Sequence, residues 1–500
     1  MPDGTDRGTA RGTARDPHEV LHPNHDLSAV RVPDTDDLAG VGPLGVTVVV
    51  HEDEDYDFQP PKGRLRATVS LGVSQSIDNT EGGVSRTFFP QITLAFGVGD
   101  SALGLLNAIG FFARMLFGPV WAIAADRFGR KRILLLVTGA WGLWTIATGF
   151  AQSWTMLLIL YTIALIGTVA SEPILNGLLG SLYHSSERGK AFGTVRGVSS
   201  AIGIVLTPTL GQFGGNPDGW RYAMFVMGGL SIFSGLLILL FVHEPKHVSH
   251  EDAKELKSEA GMFRLSDAAK LFKIPTLALM APGLLFVTSL ILFGFVGTYW
   301  ARDLGYGVTN ASYLYTAMTV GMTISAFLGG FLGDLFAHRF GDKGRIMLFQ
   351  LYALLFAAST FVMVRLASVF DPDVAPGTGN AVTNTPSVAY YVIVFITGLI
   401  FSWGFSGCVL PMVSRVCPKQ LSATSFAVLF SLVQGLITAI YSLSAGAVSQ
   451  AIGNLQLTLV LFVSIPYVLN SIYWTVFYRF YPRDADLQAE RSRLIEQGRF

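Results

Sequence analysis

The segment Ala122-Ile123-Ala124-Ala125-Asp126-Arg127-Phe128-Gly129-Arg130-Lys131-Arg132-Ile133 is a tight basic turn between two apolar runs, one from Leu103 to Ala125 and the next from Ile133 onward. Each run is long enough to cross a bilayer, which takes roughly 20 apolar residues. Arg114 stands in the middle of the first run. A guanidinium in hydrocarbon costs roughly 3 kcal/mol or more, so it is kept where it faces a partner or a wet cavity. The turn and the arginine together predict a polar pathway through a membrane.

Composition agrees. Hydrophobic residues make up 51% of the 500 and charged residues only 14%, against about 25% charged in a typical soluble domain. The sequence reads as an all-α integral membrane protein. Its formal charge of zero gives no basic surface for a nucleic-acid partner. Cys408 and Cys417 lie at or just beyond the end of one apolar run and read as a core filler and a loop residue, not a redox pair.

Twelve runs of membrane length follow Leu65, near 66–92, 103–125, 133–152, 155–182, 190–213, 221–242, 275–300, 310–333, 346–370, 388–412, 422–448 and 456–478. The first is the least apolar, holding Asp78, Asn79, Glu81 and Arg86, with Gly82 and Gly83 weakening its helix. Lys and Arg crowd alternate loops, from Lys62 and Arg64 through Arg127, Arg188, Lys246, Arg339 and Arg415 to five arginines after Tyr478. The opposite loops offer only Arg221 and Arg302. By the positive-inside rule both termini are expected in the cytoplasm, which requires an even number of spans.

The expected organisation is a disordered cytoplasmic tail over 1–62, a six-helix bundle over 63–242, a cytoplasmic linker over 243–274, a second bundle over 275–480 and a cytoplasmic C-terminal tail over 481–500. The first tail is too poor in apolar residues to offset the entropy of ordering. In the linker, Leu265, Ala268, Ala269 and Phe272 recur at helical spacing, as in a helix lying in the membrane surface. His243, His247, His250 and Glu251 read as part of a solvated linker; no second cluster with ligand spacing accompanies them, so no metal site is expected.

The basic turn after the second run resembles the signature loop of the major facilitator superfamily, with Ala122 where the family usually has Gly. A second copy follows the eighth run as Gly330-Phe331-Leu332-Gly333-Asp334, with Arg339, Lys343 and Arg345 after it. One local pattern at the same place in each half is what a duplicated transporter shows. Glu187-Arg188-Gly189-Lys190-Ala191 resembles the family's loop opening the fifth helix, Trp220-Arg221-Tyr222 the start of the sixth, and Pro90-Gln91-Ile92 the end of the first. The resemblance implies twelve transmembrane helices in two pseudo-symmetric six-helix bundles. It also implies a cytoplasmic gate at Asp126, Arg127, Gly129, Arg130, Arg132 and Asp334, where an aspartate opposing a helix dipole needs compensation. Within the superfamily the layout is similar to spinster-type lipid transporters and related organic-anion carriers, with Glu81 nine positions before Pro90. Ile163 and Thr168 depart from the pattern of span four, and Gly203 to Gly211 is a degenerate form of the antiporter signature.

Asp78 and Glu81 share a helix face by spacing, and two carboxylates in a poorly solvated site cannot both ionise cheaply, so one is expected to carry a proton near neutral pH. Thr168, Glu172 and Asn176 stack along span four. Arg86, Arg114 and Arg196 are the basic counterparts, able to pair with an acid at rest and release it when a substrate or proton arrives. Tyr299, Trp403, Gln434 and Tyr441 are candidate neutral contacts in the second half. Gly110, Gly118, Gly197 and Gly203 read as close helix contacts.

The sequence therefore predicts a secondary transporter, not an enzyme: a monomer in the plasma membrane that moves a small organic or amphipathic solute by alternating access. Protons are expected to drive it through Glu81, Glu172 and Asp78, and the family resemblance alone slightly favours export. Without a nucleotide-binding signature or metal cluster, neither cofactor nor ATP is called for. An uncoupled facilitator and a non-transporting sensor or scaffold are the alternatives.

Overall fold

A computed structural model describes residues 63–183, 187–243, 271–372, 374, 384–418, 421 and 425–496. The expected N-terminal tail lies outside them, as does almost all of the linker. All regular structure among the described residues is helical. The helices are α1 (Arg64–Thr87), α2 (Asp100–Phe128), α3 (Arg130–Gly149), α4 (Trp154–Leu182), α5 (Arg188–Gly211), α6 (Gly219–Phe241), α7 (Pro275–Asp303), α8 (Gly307–Phe340), α9 (Asp342–Arg365), α10 (Val388–Val416), α11 (Val428–Ile452) and α12 (Leu455–Leu494). Ten are long and apolar enough to cross a membrane. The other two, α1 and α5, have 24 residues each, about 36 Å of rise and enough to span, but carry more polar side chains. The chain is a multi-pass membrane protein.

The run expected over 66–92 is two helices. α1 stops at Phe88, and a second helix, Phe89–Phe96, starts with Pro90 in its first turn, where a missing amide is tolerated. Gln91 pins this junction by donating to the carbonyls of Gly214 and Asn216 at 2.8 and 2.9 Å and accepting from the Trp220 amide at 3.0 Å.

The duplication extends to side chains. Between α2 and α3 the chain reverses at Gly129, φ 96°, and between α8 and α9 at Gly341, φ 62°, backbone angles that glycine adopts without strain. Arg130 bonds Asp126 at 3.1 Å and the Gly177 carbonyl of α4 at 2.8 Å. Arg345 bonds Asp334 at 2.8 Å and the Gly407 carbonyl of α10 at 2.6 Å. Each bracket ties three helices of one bundle.

Two expectations change. Residues 481–494 do not leave the bundle as a tail but continue α12, burying Tyr481, Asp484 and Ala485, because that stretch keeps apolar residues at helical spacing. And of the four glycines expected at close contacts, Gly118 and Gly197 have nothing within 4 Å of where a Cβ would stand, while Gly110 and Gly203 have only ordinary neighbours. The tight crossings use Gly139 against Gly235 and Gly104 against Gly446 instead.

Candidate transport pathway

The helix ends carrying the Asp126 and Asp334 turns define a basic side, and the opposite ends a far side. Interactions joining the two bundles concentrate on the far side. Arg302, at the end of α7, grips Asp100, at the start of α2, through Nη1 to Oδ1 at 2.5 Å and Nη2 to Oδ2 at 3.1 Å. Its Nε donates to Asp303 at 2.6 Å, and Ser449 of α11 donates to Asp100 at 2.6 Å. Bidentate pairing of this kind fixes orientation as well as charge. Beside it Ser101 donates to Gln450 through both its amide and its hydroxyl, and Asn107 donates to the Gly294 carbonyl at 3.1 Å. At the α5–α8 crossing, Thr309 donates to the Gly211 carbonyl at 2.8 Å and Gln212 to Tyr313 at 2.9 Å.

Below this closure lies a cavity of about 300 Å³ bounded by α1, α5, α7 and α8. Arg86 lines it with Asn79, Ser200, Phe293, Tyr315 and Thr319. The guanidinium donates to the Gly82 carbonyl of its own helix at 3.0 Å, and among the described residues it forms no ion pair.

Asp78 and Glu81 point elsewhere. Glu81 accepts from Thr145 of α3, and from Ser231 of α6 at 2.5 Å. Asp78 accepts from Thr138 of α3 at 3.4 Å, and its other oxygen has no hydrogen-bond partner among the described residues. Thr138 and Thr145 are two turns apart, so both carboxylates face one seam and share a face as their spacing predicts. Five residues separate Glu81 from Arg86, about 140° around the helix. The acids thus lie inside the first bundle while the arginine faces the second.

Arg114, Glu172, Asn176 and Arg196 are exposed, and none of them, nor Glu81, lines the Arg86 cavity. Asp126 and Asp334 serve the brackets within their own bundles; Arg127 and Arg132 flank the first turn, Arg127 with its guanidinium over Phe128. Tyr299 is buried inside the second bundle, donating to the Val364 carbonyl at 2.6 Å. Gln434 donates to the Val287 carbonyl at 3.0 Å, Tyr441 meets Phe462, and the Trp403 Nε1 atom is buried without a partner among the described residues. The second bundle instead supplies Phe293, Tyr315, Thr316 and Thr319 to the cavity. Sequence reasoning missed the Asp100–Arg302–Ser449 latch. Its signal was Arg302, one of two cations on a side otherwise without them.

A family model for the Major Facilitator Superfamily matches residues 71–442. The chain is 26% identical over 339 residues to a putative metabolite transport protein of Haemophilus influenzae, covering 66% of this chain and 74% of that protein. It is 27% identical to human protein spinster homolog 1 over 172 residues, 33% of this chain and 32% of that protein. Its fold is similar to the crystal structure of a bacterial homolog of the human lysosomal transporter Spinster in an inward-facing and occupied conformation, at TM-score 0.66 and 18% identity, covering 85% of this chain and 99% of that one.

Proposed function

The chain belongs to the Major Facilitator Superfamily, and from that premise we propose that it is a secondary transporter moving a small organic solute by alternating access, with protons as the coupling ion. One observation carries the reading: both bundles close on the far side, through Asp100, Arg302 and Ser449, over a cavity placed where the two halves meet. With the basic loops in the cytoplasm, this is an inward-facing state, and both termini are cytoplasmic. The protein works as a monomer in the plasma membrane, exporting its solute; it makes and breaks no covalent bond and binds no nucleic acid.

Glu81 is the proposed proton carrier, with Asp78 beside it. Both are buried, with no cation paired to either among the described residues, so charge there is costly and a proton relieves it. Glu172, exposed on α4, is the proposed relay from that seam toward water. Protonation changes what Glu81 offers Thr145 and Ser231, and so changes how α1 sits against α3 and α6. Similarity to a metabolite transport protein supports a small solute.

A thermal-shift screen of the purified protein against metabolites identifies a ligand, since binding to the folded state raises the melting temperature. That ligand, supplied to proteoliposomes under an imposed pH gradient, is expected to accumulate above equilibrium. Glu81→Gln is expected to abolish accumulation and keep solute exchange. Undiminished accumulation in that variant removes the proton role, equilibration without accumulation in the wild type indicates a facilitator, and absence of flux indicates a sensor or scaffold.

A further inference from the structure

We propose that the cavity beneath the far-side closure is an organic-anion site, in which Arg86 holds the carboxylate of a monocarboxylate with an apolar body and at least one hydroxyl. The proposal deepens the transport reading by naming its substrate class.

Charge comes first. Arg86 is the one charged residue among those lining the cavity. It is half-buried two residues before α1 breaks at Phe88, with the helix Phe89–Phe96 still to follow toward the far side, and so stands inside the first membrane-length run. A guanidinium there needs an anion or water. The acids nearest in sequence, Asp78 and Glu81, are turned into the α3–α6 seam and engaged by Thr138, Thr145 and Ser231. Arg86 spends one contact on the Gly82 carbonyl, and a guanidinium has five N–H donors, so a planar carboxylate finds donors to spare.

The remaining lining sets the rest of the ligand. Phe88, Phe293 and Tyr315 give the cavity ring surfaces, which favour an apolar body. The hydroxyls of Thr80, Thr316 and Thr319 already donate to the carbonyls of Ser76, Ser312 and Tyr315 at 2.8, 3.0 and 2.8 Å. Their oxygens are left as acceptors, and a ligand hydroxyl is the donor that matches them. Because one cation faces the cavity, a monoanion is balanced and a dianionic phosphate is left with excess charge. A volume of about 300 Å³ stands at the small end of ligand sites, roughly 300–1,000 Å³.

The test uses the full chain in nanodiscs, titrated calorimetrically with 4-hydroxybenzoate, its neutral isostere 4-hydroxybenzamide, benzoate and phenyl phosphate. The expected order is 4-hydroxybenzoate first, benzoate and phenyl phosphate weaker, and the amide weakest by roughly tenfold or more, as loss of a charge-assisted bidentate pair implies. Arg86→Gln is expected to erase the preference for acid over amide, and Arg86→Lys to keep part of it. Equal binding of amide and acid by the wild type, which needs no variant to fold, overturns the proposal, as does an unchanged preference in Arg86→Gln or stronger binding of the phosphate. Flux of 4-hydroxybenzoate is measured separately in proteoliposomes. Selective binding without flux leaves the anion site standing and removes transport, whereas flux indifferent to Arg86 and to ligand charge removes the anion site alone.

Discussion

Between α3 and α6 the first bundle places glycines and hydroxyls: Gly139 meets Gly235, Gly142 meets Gly228, and Thr145 and Ser231 reach Glu81. The equivalent seam of the second bundle, between α9 and α12, is filled with rings. Phe349 stacks on Trp474 with centroids 3.4 Å apart, Phe356 lies 4.7 Å from Tyr467, and Tyr352 meets Tyr467 edge-on. The surrounding frame is nonetheless the same, down to the Asp126–Arg130–Gly177 and Asp334–Arg345–Gly407 brackets. A duplicated scaffold has kept its joints and exchanged its filling. Small side chains in the first seam admit two carboxylates from α1; in the second, rings take that space beside the Thr360–Ser464 hydroxyl pair.

The sharpest break of this contrast is functional. Glu81→Gln is expected to remove gradient-driven accumulation outright, while Tyr467→Phe at the opposite seam leaves it within about twofold, since no buried charge is touched there. Proteoliposome uptake under a pH gradient reads both. A comparable loss in Tyr467→Phe contradicts the assignment of coupling to the first bundle.

Stability should show the reverse ranking. Trp474→Ala opens a ring-sized void in the second seam and is expected to cost about 3–5 kcal/mol. Gly235→Ala puts a Cβ 2.4 Å from the Gly139 Cα and is expected to cost about 1–3 kcal/mol by overpacking. Reversible denaturation in detergent measures each; a neutral Gly235→Ala denies the close crossing. The latch between bundles tests their separation. Asp100→Asn is expected to raise the far-side-open population roughly tenfold, read as faster alkylation of a cysteine at Ser199 from the far side, and the exchange Asp100→Arg with Arg302→Asp to restore part of the closure. Smallest are Asp126→Asn and Asp334→Asn. Both carboxylates are well exposed, so each should cost about 1 kcal/mol or less, and nearly the same amount.

Much of this frame could be read from one sequence. Apolar runs of membrane length are a one-dimensional signal, and most helix bounds fall within a few residues of them; the exceptions are the break at Phe88, the ends of α8 and α12 and the start of α11. The repeated aspartate and basic turn disclosed the duplication because its chemistry is local. Which way a side chain points was legible only where spacing decides it. Asp78 and Glu81 do share a face, but that face turns to α3 and α6, and nothing in α1 says which neighbours it meets. Arg114, Glu172 and Arg196 were legible as charges within apolar runs, but that their side chains are exposed and none lines the Arg86 cavity follows from how each helix is turned, which spacing does not encode. The Asp100–Arg302 latch joins residues 202 apart, beyond the reach of any periodicity.

The start of α7 has a consequence for how the molecule is made. Ile274, at its N-cap position, offers no side-chain acceptor; Asp484 supplies one, accepting from the Thr276 amide at 2.8 Å and its hydroxyl at 2.6 Å across 208 residues. A free helix amide and a lone aspartate must both wait while the four intervening helices, α8 to α11, are synthesised and inserted, since domains assemble as the chain emerges. Biogenesis of the second bundle is therefore completed by a clasp that arrives late, and chains shortened before Asp484 should be the ones that cellular quality control removes.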